Sequence, residues 1–108
     1  METLEIGQKL DPNKFEGRHF YIKEIINFMG RHGIILWSWG FSNPTGVEGK
    51  YISFNVNGRK HKGKVFIFLH WSDTFTIVYT DKLLKIKKID EMVYIDELME
   101  RLDSSIET

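Results

Sequence analysis

The chain has 108 residues, 42% of them apolar and 14% aromatic, with two prolines; this suits one small domain and excludes a chain too poor in apolar surface to fold. It has no cysteine, which removes disulfide frameworks, thiolate metal sites and thiol nucleophiles. Fifteen basic and fifteen acidic side chains cancel, so a surface attractive to polyanions everywhere is excluded too.

The opening Met1-Glu2-Thr3-Leu4-Glu5 is acidic and has no apolar run, and no stretch is long enough to span a bilayer, so a cytoplasmic protein without a membrane segment is expected. Asp11-Pro12-Asn13 reads as a turn. Beyond Gly17, Ile22, Ile25, Ile26 and Met29 recur at helical spacing, which predicts an amphipathic helix over about 18–31, stopped by Gly30 or Gly33. Ile34 to Phe41 is rich in branched and aromatic residues and reads as a first strand, closed by the loop Ser42-Asn43-Pro44-Thr45-Gly46.

Tyr51 to Asn57 alternates apolar and polar residues, the pattern of a strand with one face in the core. Asn57-Gly58 is the preferred pair for a two-residue hairpin turn. A turn centred there sets Val56 opposite Arg59 and Phe54 opposite His61, while Asn55, Ser53 and Tyr51 face Lys60, Lys62 and Lys64. Val65 to Leu69 is unbroken apolar sequence, as in a central strand covered on both sides, and Gly63 inside that arm suggests a bulge. A loop over 70–73, a strand over 74–80, a turn at Asp81-Lys82 and a last strand with Leu84 and Ile86 complete the sheet. Ile95, Leu98, Met99, Leu102 and Ile106 then fall on one stripe of a helix over about 94–106. The expectation is a single α+β domain over 1–108: an antiparallel meander of four or five strands, with an N-terminal and a C-terminal amphipathic helix packed on one face.

Charge is unevenly spread. Residues 58–88 hold eight basic and two acidic side chains, and residues 89–108 hold one basic and seven acidic. Lys60, Lys62 and Lys64, with Tyr51 beside them and Lys85 and Lys87 nearby, would let lysines meet phosphates and rings stack on bases of single-stranded nucleic acid. The plainer reading, that exposed lysines solubilise a sheet and discourage edge pairing, is preferred. Trp37, Trp39 and Phe41 share one face of the expected strand, where core outranks ligand groove or subunit interface, whereas Trp71 in a loop would be an exposed contact.

The four histidines form no metal-spaced pair, and no metal or cofactor is expected. His70, Ser72 and Asp73 can be written as a triad, yet residues this close in sequence rarely build one. The acidic C-terminal helix reads as a solvated outer face. With neither a nucleophile–base pair nor a phosphate loop, the leading expectation is a non-enzymatic binding or protein-interaction module, acting on a protein partner or by self-association. The alternative is a nucleic-acid-binding domain that uses the basic hairpin face.

Overall fold

A computed structural model of the chain describes residues 5–11, 22–47, 51–69 and 74–107. Among them the order is α1 (Ile22–Gly30), α2 (Gly33–Ser38), β1 (Ser42–Val47), β2 (Tyr51–Asn57), β3 (Lys62–Leu69), β4 (Phe75–Thr80), β5 (Ile86–Val93), a 3-10 turn (Ile95–Glu97) and α3 (Leu98–Ile106). The strands form one antiparallel meander in the order β1-β2-β3-β4-β5, so the fold is α+β. No helix of the described residues is long and apolar enough to cross a membrane.

The expected strand over 34–41 is a helix followed by a turn. Gly40 adopts φ +65°, its N–H donates to Trp37 O at 3.0 Å, and the Phe41 N–H reaches back to Leu36 O at 3.2 Å. These are the two bonds of a helix stopped by a left-handed glycine. Half-buried Ile35 and Leu36 and fully buried Trp39 point inward while Ile34 and Trp37 point out, a three-to-four-residue period that branched and aromatic content concealed. The first strand lies one segment later, in Ser42–Val47, where Pro44 and the positive φ of Asn43 interrupt the ladder with a bulge. A sheet edge tolerates both.

The hairpin register is also corrected. Asn57 pairs with Lys62, Val56 with Gly63 and Phe54 with Val65, four residues away from the expected pairing, and residues 58–61 form the loop. That loop is tied to α3: the Lys60 and His61 N–H groups donate to Ile106 O at 2.8 and 3.3 Å, and the Arg59 N–H to the Glu107 carboxylate at 3.0 Å. It closes the unpaired carbonyls of a helix end, and this outweighs the local preference of Asn-Gly for a tighter turn. A four-residue shift is even, so each side chain that stays on a strand keeps its expected face, while Arg59, Lys60 and His61 leave the ladder for the loop.

β3 is the middle strand, and Val65, Phe66, Ile67 and Phe68 are all buried. On one face Ile52, Phe54, Ile67 and Ile77 join Leu98, Leu102 and Ile106 of α3, Ile25 and Met29 of α1, and Trp39 in the larger apolar cluster. The other face holds a smaller cluster of Leu10, Phe66, Phe68, Val78 and Ile86. Leu10 comes from the segment 5–11, which runs beside the start of β5: Gly7 N–H to Ile86 O, Ile86 N–H to Gln8 O and Leu10 N–H to Leu84 O, each at 2.8 Å. β5 is longer than the sequence suggested, running to Val93 through a bulge at Met92, whose φ is +55°.

Candidate interaction surfaces

Under α3 lies a polar cluster. The Tyr79 hydroxyl donates to the Asp90 carboxylate at 3.2 Å, the Ser105 hydroxyl donates to the same oxygen at 3.3 Å, and Lys88 Nζ donates to Ser105 Oγ at 2.8 Å. Lys88 also stands 5.9 Å from the Tyr79 ring centroid. Burial drives the Tyr79 phenol far above its ordinary value, so it remains a neutral donor. The His61 ring packs edge-on to Tyr79 at 5.4 Å with Nε2 3.2 Å from Lys64 O, and burial holds its imidazole below the usual value. Every group here has a partner and Tyr79 is locked as a phenol, so the cluster fastens α3 to β4 and β5. Among the described residues no group of three His, Asp or Glu side chains is placed to hold a metal ion.

The basic residues fall into separate places. Lys60 sits in the β2–β3 loop, not on the strand, and its Nζ donates to Ser104 O at 3.3 Å, where a cation suits the negative end of α3. Lys62 and Lys64 project from the second face beside Asn57 and Asn55, and Lys64 Nζ donates to Asn55 Oδ1 at 3.2 Å. Tyr51 is on that face too, at the far end of β2, half-buried with its ring 5.7 Å from Phe66 and 5.9 Å from Phe68. Lys85 and Lys87 are exposed at the start of β5, and Lys88 belongs to the cluster under α3.

Gly63 was expected to mark a bulge; it marks a close approach of backbones. Its φ is +145°, and a Cβ there would lie 2.3 Å from Thr80 O and 3.1 Å from Asp81 Cα. The approach sets the basic start of β3 against the turn at 81–85. Asp81 builds that turn by accepting the N–H groups of Leu83 and Lys85, both at 2.9 Å. The Lys85 N–H bond is the main reason the Asp81 carboxyl is held below its ordinary range, with Lys87 and Lys85 adding their charge.

The aromatic trio divides. Trp39 is 0% exposed and its Nε1–H donates to Asp103 Oδ1 at 2.8 Å, while Phe41 packs on Phe54 at 4.8 Å. Trp37 is 82% exposed, and Ile34, three residues earlier on the same helix face, is 86% exposed. Composition alone hid Ile34 as a surface residue; Gly40 two residues past the helix was the signal that would have found it. Trp71 lies outside the described residues, as do His70, Ser72 and Asp73. No family model, no curated protein and no solved structure matches the chain.

Proposed function

We propose that the chain is a cytoplasmic, non-enzymatic interaction module, in which the N-terminal and C-terminal helices cover one face of the sheet and α2 carries the contact. One observation supports this above others: Ile34 and Trp37 stand one turn apart, 86% and 82% exposed, while Trp39 is sealed in the core. Tryptophan is enriched at interface centres, and leaving it and the neighbouring isoleucine in water costs free energy that a partner would recover. The partner to test is a second copy, since a two-fold contact would set Trp37 of one protomer over Ile34 of the other. Sedimentation velocity over a concentration series, with the Trp37 indole N–H followed by NMR, reads this directly. Self-association with a moving Trp37 resonance, abolished in the equally stable I34S/W37S variant, is the expected result. A chain that stays monomeric to about 1 mM with that resonance unmoved overturns it.

A second reading, nucleic-acid binding through Tyr51, Lys62, Lys64, Lys85 and Lys87, draws support from the approach of β3 to the 81–85 turn at Gly63, which collects lysines from two segments far apart in sequence.

A further inference from the structure

In an antiparallel meander, alternate connections fall at the same end of the sheet. The β2–β3 loop and the β4–β5 turn therefore share one end, and the contact at Gly63 shows how closely they sit. Arg59, Lys62, Lys82 and Lys85 are exposed there, with exposed Lys9 bridged to Lys85 and exposed Lys87 two residues further along. Asp81, whose Oδ1 accepts two turn N–H groups, keeps its charge beside Lys85 and Lys87, and the Glu107 carboxylate accepts the Arg59 N–H, so the six cations named outnumber the acids near them. Asp11 is joined in an interaction of its own. Lys60 serves the end of α3 and is not free for a ligand. Tyr51, the ring expected to stack on bases, pairs with Phe68 at the opposite end of β2 and is half-buried against Phe66 and Phe68.

We infer that this end of the sheet, and not the stretch of its second face around Tyr51 and Lys64, is a track for the phosphate backbone of nucleic acid, with Arg59, Lys62, Lys82 and Lys85 as its phosphate contacts. The inference rests on the second reading above and changes its geometry. Four strands at about 4.8 Å spacing spread these cations over roughly 15 Å, a row that fits successive phosphates of a polymer better than one isolated anion. With the candidate ring remote from the cations, the contact reads charge and not base identity. Binding is therefore indifferent to sequence, accepts single strands and duplex alike, and falls steeply with salt.

Fluorescence anisotropy of a short labelled single strand and of its duplex, titrated with untagged protein from low to physiological salt, tests this. The proteins are the wild type, the end variant K62A/K82A/K85A, and the face variant Y51A/K64A, each checked for folding by circular dichroism. The end variant is expected to lose on the order of tenfold in affinity at low salt and to flatten the salt slope by about two on the single strand and nearly three on the duplex, and the face variant to lose less. If the wild type binds and the face variant loses more, or the end variant loses nothing, the inference falls and the second reading survives. If the wild type binds neither form at low salt, both fall. Binding to anionic lipid vesicles but to neither oligonucleotide also overturns the inference.

Discussion

On one face of the sheet, Ile52, Phe54, Ile67 and Ile77 share a large apolar cluster with residues of α3 and α1 and with Trp39; on the other, Phe66, Phe68 and Val78 sit in a smaller cluster with Leu10, from a segment of irregular backbone. The first closure uses an amphipathic helix fastened at several points: Trp39 to Asp103, Ser105 to Asp90, and the 58–61 loop to Ile106 and Glu107. The second uses three backbone hydrogen bonds to the start of β5. Apolar burial drives both, yet a regular element distributes its loss over many neighbours, whereas a short strap concentrates it in one side chain.

Substitutions can break this comparison. Leu102→Ala, at a fully buried position of α3, is expected to cost about 3 to 5 kcal/mol in denaturant unfolding, because the fastened helix cannot collapse into the cavity. Gly63→Ala follows at roughly 3 kcal/mol, the sum of a strained φ and an overlap with the Thr80 carbonyl. It also pushes the two basic segments apart, which chemical shifts at Lys62 and Lys85 would report. Leu10→Ala is expected to cost less, about 2 kcal/mol, with hydrogen exchange speeding up at Gly7, Leu10 and Ile86 while α3 stays protected. If Leu10→Ala costs as much as Leu102→Ala, or if α3 opens with it, the two faces are one cooperative unit and the comparison fails.

The smallest effect concerns pH. Burial holds His61 below its ordinary value of 6.5, so on acidification the unfolded chain binds this proton before the native chain does. The histidine therefore contributes stability that is complete above about pH 6.5 and is lost as pH falls from there through its native value. Wild-type stability should decline across that window more steeply than that of His61→Gln, and matching slopes would show that His61 does not titrate differently on folding.

Where the sequence read well, the pattern was local and of a single period. Tyr51–Asn57 and the stripe Leu98, Leu102, Ile106 carry periods of two and of three to four, which side-chain burial enforces, and Phe75–Thr80, buried along its whole length, was legible from its β-rich composition. It read poorly where two local rules competed. Ile34–Phe41 has strand composition, but the glycine stop and the burial of Trp39 against Asp103 favour a helix. Ser42–Val47 has loop composition, yet its backbone pairs with β2. The lysines were legible as a cluster in sequence, but their division among the end of α3, the second face and the sheet end was not.

The sequence by itself determined the class, α+β with a meander, the even-odd assignment of faces in β2 and β3, and the C-terminal helix, because these follow from periodicity within one segment. Only the tertiary structure decided the four-residue hairpin register, the exposure of Ile34 and Trp37, the strap that carries Leu10, and the convergence of Arg59, Lys62, Lys82 and Lys85. Each of those depends on a contact between segments distant in the chain, such as Lys60 with Ile106 or Gly63 with Thr80, and composition within a window carries no record of its distant partner.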